Sequence, residues 1–511
     1  MDNNILRASL LSPMLDPASG VALYRQLYET MRQAILKGTL AAGTKLPSTR
    51  TLAQTLGISR TTVIQAFDQL LAEGYIYGKA GSGTYVAQAL PDELLRLPAP
   101  QAHSDDIEEV SPPSNPLSQR GKTIASSAVA PVQKWDQVIQ HQAFRHGIPA
   151  LHEFPFKLWS QLATRRWKHI EPASFGYSDP AGYRPLRQEI ARYLQAARGV
   201  HCTEEQIIIM AGSQQALHLA VQLLIDPGDE VWIEDPCYMG ARGALLSGGA
   251  RLVSVPIDDE GLNVAQGIAS SPRARMAYVT PSHQFPVGAV MSLARRLALL
   301  HWASQTARWI LEDDYDSEYR YTGHPLASLQ GLDQGGRVIY IGTFSKVLFP
   351  ALRLGYLVSP PELIDAFRAA RAAADRHAHM LDQMVLTDFM AQEHFARHLR
   401  RMRSLYEERQ GILLDTILKE LGDILSVKAA SAGMNLLAHL PSYLQDTMVA
   451  QRAADNEVSV TPISKYYIQH PPFNALLLGY AAYNQQEIHQ GIHRLALTLR
   501  SLSPSYIQEN T

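Results

Sequence analysis

Cysteine is scarce in this chain: Cys202 and Cys237 are the two thiols among 511 residues. Two cysteines provide neither a disulfide framework nor a metal-binding spacing, so we expect a reducing compartment and no metal site. The N-terminus lacks the basic start and apolar run of a signal peptide. No stretch of about 18 apolar residues is present to span a membrane. We therefore expect a cytoplasmic protein without membrane contact.

Net charge is also small, at -2 for the whole chain. The charge is unevenly distributed, because residues 1–90 hold eight Lys or Arg against five Asp or Glu. A modestly basic segment on a nearly neutral chain points weakly to a DNA-binding module. The length suggests roughly two to four domains.

Composition divides the chain into three predicted parts: 1–88, a linker at 89–140, and 141–511. Seven of the 30 prolines fall between residues 91 and 131, with serine and acidic clusters and no helical or strand periodicity. Such a composition is typical of a partly extended linker.

Beyond the linker, short apolar runs alternate with longer helical stretches, which predicts an α/β domain with a mostly parallel sheet. The last 140 or so residues suggest a smaller α+β subdomain. The predicted strands are 206–210, 230–233, 251–255, 276–279, 309–311 and 338–341.

The first part reads as three helices and a hairpin. Apolar residues recur at helical spacing over 22–36, a second helix covers 49–56 before Gly57, and a third begins near Ser59. A glycine-rich turn at 78–83 then joins two short strands. This arrangement predicts a winged helix-turn-helix.

The start of the third helix carries donors suited to DNA, namely Ser59, Arg60, Thr61 and Thr62. Arginine can fork onto a guanine edge, and Ser or Thr can bond bases or phosphates. In the wing, Lys79 and the slim Gly81 allow close approach to a backbone. The alternative is a small helical domain that makes protein contacts only.

Residues 22–86 resemble the DNA-binding domain of the GntR family of regulators, through the run AAGTKLPSTRTLAQTLGISRTTVIQAFDQLLAEGYIYGKAGSGTYV. The resemblance implies double-stranded DNA as a partner. It also implies that Arg50 and Arg60, with Ser59, Thr61 and Thr62, touch it. Some family members have Arg where this chain has Ile64, so the base preference there stays open.

Lys346 is a candidate for covalent chemistry. It ends the run Gly342–Lys346, directly after the predicted strand 338–341. Burial at such a position lowers a lysine's pKa, and the amine can then form a Schiff base with an aldehyde such as pyridoxal 5'-phosphate. Thr343, Ser345 and Arg353 are suited to its phosphate. A lone lysine of this kind is more often a surface residue.

Further candidates follow other predicted strands. After 309–311, Asp313 could keep a pyridine nitrogen protonated and Tyr315 could bond the ring hydroxyl, although an acidic loop facing water is the alternative. Ser213 and Gln214 begin a helix whose N-terminus suits an anion, and Tyr238 supplies an aromatic ring. Ligands of α/β sheets gather at strand C-terminal ends, so together these residues predict one cofactor site.

The set resembles the fold-type I pyridoxal phosphate enzymes, the aspartate aminotransferase-like group, over about residues 150–500. The resemblance implies Lys346 as the Schiff-base lysine, Asp313 on the ring nitrogen, Tyr315 on the ring hydroxyl and Tyr238 stacked on the ring. It implies a phosphate site made by Ser213, Gln214, Ser345 and Arg353, with Tyr177 reaching the cofactor of a partner subunit.

With its GntR-type reader, the whole chain is similar to the MocR subfamily of regulators. That similarity implies a head-to-tail homodimer whose large domain responds to pyridoxal phosphate itself, or to an amine or amino acid. The fold expected is a winged helix-turn-helix plus an α/β fold-type I transferase-like domain.

Two departures separate the chain from aminotransferases. Phe285 stands where the enzymes have the Asn that bonds the ring hydroxyl, so His283 or Gln284 could compensate, or His283 is a plain loop residue. Leu477 stands near the usual carboxylate-binding Arg. Lys465 is the nearest basic candidate for an effector, although it gives no bidentate fork and could be a solvated surface residue.

The sequence therefore favours a sensor over an efficient enzyme, with residual transaminase half-reactions compatible with that reading. An active pyridoxal phosphate-dependent aminotransferase is the alternative.

Overall fold

A computed structural model describes residues 15–16, 19–79, 81–88, 117–126, 143–169, 171–172, 176–323 and 327–502. The chain divides into two compact units, residues 1–114 and 115–511. Within the described residues, none of the helices combines the length and apolar character that crossing a membrane requires.

The first unit is the predicted winged helix-turn-helix. Its elements are α1 (Leu23–Leu36), α2 (Thr49–Leu56), α3 (Arg60–Ala72), β1 (Ile76–Lys79) and β2 (Gly83–Val86). Ser48 and Ser59 cap α2 and α3, each accepting a backbone N–H bond at 3.1 Å. The apolar stripes of the three helices meet in one core that includes Leu27, Met31, Leu52, Val63 and Leu70.

The wing is tighter than the sequence predicts. The glycine-rich turn was expected over 78–83, but β1 continues to Lys79, which pairs with Gly83 in the antiparallel register. Gly81 and Gly83 have φ of 72° and 116°, so the reversal uses conformations that glycine adopts without strain. Ala80 lies outside the described residues.

The predicted linker contains a helix that periodicity did not reveal. This helix, α4 (Gln119–Ser126), buries none of its residues, so it has no apolar stripe to detect. Six of the seven prolines that suggested an extended chain lie before it, at or before Pro116.

The second unit is built on an eight-stranded sheet. Its strands are β3 (Ile207–Met210), β4 (Glu230–Asp235), β5 (Arg251–Asp258), β6 (Gly261–Leu262), β7 (Met276–Val279), β8 (Trp309–Asp314), β9 (Val338–Thr343) and β10 (Gly355–Val358). Their order is β3-β10-β9-β8-β7-β4-β5-β6. Strands β9, β8, β7, β4 and β5 run parallel, whereas β10 is antiparallel to both neighbours.

The predicted α/β domain is thus confirmed, and all six predicted strands are present. The sequence analysis missed β10 and β6; β6 has only two residues, too few to show a period. Helices pack against the sheet, and several of its strands are fully buried, as in Ile207–Met210. The helices of this part are α5 (Phe156–Lys168), α6 (Arg184–Arg198), α7 (Ser213–Leu224), α8 (Met239–Ser247), α9 (Val264–Ser270), α10 (Leu293–Thr306), α11 (Leu329–Leu332), α12 (Ile364–Asp375), α13 (Met380–Ala391) and α14 (His394–Leu421).

The C-terminal residues form the predicted smaller α+β part. Its sheet has the order β11-β12-β14-β13 and is antiparallel. The elements are β11 (Ser426–Val427), β12 (Asn435–His439), α15 (Asp446–Asp455), β13 (Thr461–Pro462), β14 (Ala475–Gly479) and α16 (Gln485–Ser501). Asn435, the first residue of β12, reaches the cavity described next.

Candidate functional site

A cavity of about 260 Å³ lies at the C-terminal ends of the parallel strands. Such a position is where open α/β sheets bind ligands. The cavity is lined by His146, Gly147, Ser213, Gln214, Tyr238, Tyr278, Thr280, Phe285, Asp313, Tyr315, Asp316, Thr343, Ser345, Lys346, Pro350, Arg353, Met434 and Asn435. The structure therefore brings together nine of the ten residues that the sequence predicted to hold a cofactor.

Lys346 enters the cavity from the loop after β9. Its Nζ donates a hydrogen bond of 2.7 Å to the carbonyl of Gly147. Burial lowers the pKa of the Lys346 amine, while the carboxylates of Asp316 and Asp313 oppose that shift. A lysine with a lowered pKa is more often unprotonated and so more nucleophilic.

Asp313 is the last residue but one of β8. One of its carboxylate oxygens accepts a hydrogen bond, and the other has no partner among the described residues. Tyr278 donates a 2.8 Å hydrogen bond to Oδ2, whereas Oδ1 is buried without a partner among the described residues. Burial raises the pKa of Asp313 to about 7, although the bond from Tyr278 opposes the shift. A buried oxygen without a donor is costly, so this atom is suited to a ligand that brings an N–H.

Tyr315 is held by a group behind the cavity wall. Its hydroxyl lies 3.1 Å from Nδ1 of His283, and the same nitrogen lies 3.0 Å from both carboxylate oxygens of Asp316. His283 is buried and is not part of the lining. It contacts Tyr315, which does line the cavity.

The second residue considered as a compensation for Phe285 is turned away from the cavity. Gln284 donates through Nε2 to the carbonyl of Pro236 at 2.8 Å. Of the two candidates, His283 is the one whose side chain bonds to a side chain of the lining, the Tyr315 hydroxyl.

One end of the cavity is formed by small residues and donors. Helix α7 begins at Ser213, and its N-cap Gly212 has φ of 99°. A Cβ on Gly212 would lie 3.4 Å from Nη2 of Arg353, so glycine leaves this guanidinium room. Arg353 Nη2 donates to the carbonyl of Ala211 at 2.7 Å. A helix N-terminus beside an arginine is suited to a phosphate.

Aromatic rings form one wall. The ring centroid of Phe285 lies 5.9 Å from Tyr238, 5.8 Å from Tyr315 and 5.2 Å from Tyr466, each pair edge to face. Phe285 thus packs within an aromatic cluster and offers no hydrogen bond to a ligand.

The other end of the cavity consists of residues that sequence reasoning missed. His146 bonds to Thr461 through Nδ1 at 3.0 Å and to the Tyr466 hydroxyl through Nε2 at 3.1 Å. Asn435 accepts from the Gly147 N–H at 3.1 Å. The sequence held no usable signal, because these residues lie in short segments about 290 to 320 positions apart.

Besides His283, two further predicted residues lie outside the cavity. Lys465 is exposed on the 3-10 turn Ile463–Tyr466 and is not part of the lining. Tyr177 is 83% exposed, with its ring 4.7 Å from the guanidinium carbon of Arg376. Leu477 is buried in an apolar cluster, so no charge replaces the missing arginine there.

The predicted DNA contacts are exposed on the first unit, with one exception. The exposed residues are Arg50, Ser59, Arg60, Thr61, Lys79 and Gly81. Thr62 is half-buried, and its hydroxyl bonds at 2.8 Å to the hydroxyl of Ser59. The hydroxyls of Ser59 and Thr62 are therefore already engaged in capping α3.

Comparison with family models divides the chain in the same way. Residues 23–86 match the bacterial regulatory proteins of the gntR family. Residues 152–495 match aminotransferase class I and II. A solved structure with this second fold is LysN, the α-aminoadipate aminotransferase of Thermus thermophilus, complexed with N-(5'-phosphopyridoxyl)-L-leucine. It superposes with a TM-score of 0.68 at 29% identity, covering 76% of this chain and 97% of that one.

Full-length relatives combine both segments. The chain is 40% identical to the "Probable rhizopine catabolism regulatory protein MocR" of Rhizobium meliloti, over 96% of this chain and 97% of the relative. It is 31% identical to the HTH-type transcriptional regulator TauR of Rhodobacter capsulatus, over 95% and 98%. The chain therefore belongs to the MocR-like family of HTH-type transcriptional regulators and joins a GntR-family DNA-binding segment to an aminotransferase class I and II segment.

Proposed function

We propose that this regulator binds pyridoxal 5'-phosphate in the cavity around Lys346, and that the cofactor, or an amine or amino acid that reacts with it, changes its affinity for operator DNA. The unpartnered Oδ1 of Asp313 carries the proposal. A protonated pyridine nitrogen is the kind of donor that this buried oxygen lacks.

The lining fits the remaining parts of the cofactor. Arg353 and the start of α7, with Ser213 and Gln214, would hold the phosphate. Thr343 and Ser345 add hydroxyls at the same end. The Tyr238 ring would lie against the pyridine, and Tyr315 would bond the ring hydroxyl.

The cofactor supplies an aldehyde that captures amines and a ring that withdraws electrons from them. The chain's own residues prepare the site for that chemistry. Burial favours the neutral amine of Lys346, and the aromatic wall around Phe285 excludes water. His283 keeps the Tyr315 hydroxyl oriented through its bond at 3.1 Å.

Coupling to DNA follows from linkage. A ligand shifts DNA affinity only by binding two conformations of the protein with different affinities. Lys346 Nζ bonds to Gly147, close to the start of the second unit's main body, so capture of this amine removes one bond to a segment that precedes the rest of this unit in the chain. A cytoplasmic homodimer, in which Tyr177 approaches the partner's cofactor, is part of the proposal.

Absorbance spectroscopy tests cofactor binding directly. The purified chain should develop a visible absorbance band when pyridoxal phosphate is added, and Lys346→Ala should abolish it. Lys465→Ala is the matched control, because this exposed lysine lies outside the lining. A chain that stays colourless would sink the proposal.

Turnover tests the aminotransferase alternative, which the 27% identity to aromatic-amino-acid aminotransferase 1 of Thermococcus litoralis favours. We expect no sustained turnover of amino-acid and keto-acid pairs by the purified chain. Many turnovers per site would favour the enzyme.

The DNA interface is tested by substitution in α3. Arg60→Ala should weaken operator binding and reduce its salt dependence, because arginine contacts release counterions. Asp68 is on the same helix and Asp68→Ala serves as the control. Equal operator affinity in Arg60→Ala and in the parent chain would show that Arg60 does not contribute to operator binding.

A further inference from the structure

The charges that line the cavity indicate which amines it accepts. Among the described lining residues, the cationic side chains are Lys346 and Arg353. In the proposed function Lys346 holds the cofactor and Arg353 lies at its phosphate end, beside Gly212. No cation in the described lining then remains for a carboxylate on the effector. Arg145 precedes His146 along the chain and lies outside the lining.

Negative charge is present on the same walls. Asp316 and Asp313 both line the cavity; Asp313 is the partner of the ring nitrogen in the proposed function, and Asp316 is buried against His283. A second anion brought into this surrounding would lose its hydration and gain no partner. An ammonium group would instead gain a carboxylate partner in place of its hydration.

The end away from Arg353 offers neutral hydrogen-bonding groups instead. His146 is bonded to Thr461 and Tyr466, and burial, with Lys346 adding to it, lowers the His146 pKa to about 4. The ring is therefore uncharged at neutral pH. Asn435 uses Oδ1 for the Gly147 N–H, and its Nδ2 has no acceptor among the described residues. This Nδ2 is a neutral donor of the kind that pairs with a hydroxyl group, whereas both ring nitrogens of His146 are already bonded.

We propose that the effector is an amine that carries hydroxyl groups and no carboxylate, such as an amino alcohol or an amino sugar. Its amine reaches the cofactor, and a hydroxyl accepts a hydrogen bond from Nδ2 of Asn435. The inference rests on the proposed function, since it takes Lys346 and Arg353 as engaged by the cofactor.

Matched pairs of small amines test this preference on the full chain loaded with pyridoxal phosphate. Alaninol is compared with alanine, and serinol with serine, so that each pair differs in a hydroxymethyl group against a carboxylate. The readout is the change in the visible absorbance of the bound cofactor. We expect the alcohols to act at concentrations at least about ten-fold lower than the acids, since a buried, unpaired carboxylate costs more than one hydrogen bond.

Amino acids that act at equal or lower concentrations than their alcohols would overturn the inference. The same result would follow if Lys465→Ala or Arg145→Ala selectively removed the response to amino acids. A chain that forms no absorbance band with pyridoxal phosphate would instead overturn the proposed function, so the two failures are distinguishable.

A variant locates the hydroxyl-binding end. Asn435→Ala removes the Nδ2 donor and should weaken the serinol response about ten-fold while the cofactor band is retained. Tyr466→Phe leaves this donor in place and serves as the control. An unchanged serinol response in Asn435→Ala would contradict the assignment of this end.

Discussion

The two ends of the cavity are built in different ways. At the cofactor end, Asp313, Lys346 and Ser213 each lie at or just after the end of a strand of the large sheet. At the other end, His146 comes from a loop, and Asn435 is the first residue of a strand in the small sheet. The first end is charged and the second is neutral.

The difference separates two tasks. A phosphate and a protonated ring need fixed countercharges, which rigid strand ends can hold in place. Selection among amines needs groups that differ from one regulator to the next, and loops at the edge of a second sheet can change without disturbing the first. Substitutions at one end should therefore leave the task of the other intact.

Arg353→Ala should give the largest effect. Loss of its charge-assisted bonds to the phosphate should weaken pyridoxal phosphate binding by about ten- to a hundred-fold. The measurement is titration of the visible absorbance band. Lys465→Ala should match the parent chain, and equal affinity in Arg353→Ala would show that the phosphate lies elsewhere.

Asp313→Asn should give the next largest effect. Asparagine can still accept from Tyr278, whose bond to Asp313 measures 2.8 Å, but it carries no charge for the ring nitrogen. We expect cofactor affinity to fall roughly ten-fold and the absorbance band to change position. A spectrum and affinity identical to those of the parent chain would remove Asp313 from the ring nitrogen.

His146→Gln tests the neutral end of the cavity through the pH dependence of the protein's stability. The folded chain keeps the His146 pKa near 4, mainly by burial, against an ordinary value of 6.5. Between these values the unfolded chain binds a proton that the folded chain does not, so stability falls as pH falls through this window and then levels off. The loss is at most roughly 3 kcal/mol.

Thermal unfolding on either side of that window measures the effect. His146→Gln should lose less stability on acidification than the parent chain does. His398 has a pKa lowered to about 4 in the same way, so part of the dependence should persist. Identical pH profiles for the two proteins would mean that His146 is not buried in its neutral form.

Tyr466→Phe should give the smallest effect. The hydroxyl makes one bond to His146, at 3.1 Å, and removing it should cost about 1 kcal/mol of unfolding free energy. Cofactor affinity should stay unchanged, because Tyr466 lies behind the lining. Calorimetry and the absorbance titration check the two statements. Weakened cofactor binding in Tyr466→Phe would show that the two ends of the cavity do not act independently.

Prediction from the sequence succeeded where one local pattern carried the information. The helix at 49–56 and the strand at 276–279 have the predicted bounds, because Ser48 and Gly57 cap the helix and the strand is a continuous apolar run. Six of the eight strands of the large sheet were recognisable from such runs. The helix α4 was not, since it buries no residue and so leaves no stripe.

The candidate site divides along the same line. Nine of the residues predicted to hold a cofactor line one cavity, because the end of a parallel strand is visible in the sequence and its place in the sheet follows from the fold. Lys465 was the nearest basic residue in sequence, but its side chain is exposed while its neighbour Tyr466 turns inward. Sequence distance does not determine the direction of a side chain on a 3-10 turn.

The sequence by itself determined the two-part organisation, the reader's capped helices and the charged end of the cavity, because these depend on local patterns that each strand or helix carries alone. Only the tertiary structure decided the neutral end. His146, Asn435 and Tyr466 come from segments far apart in the chain, and they meet only in the folded protein. The unpartnered oxygen of Asp313 likewise became visible only when every neighbouring donor had a position.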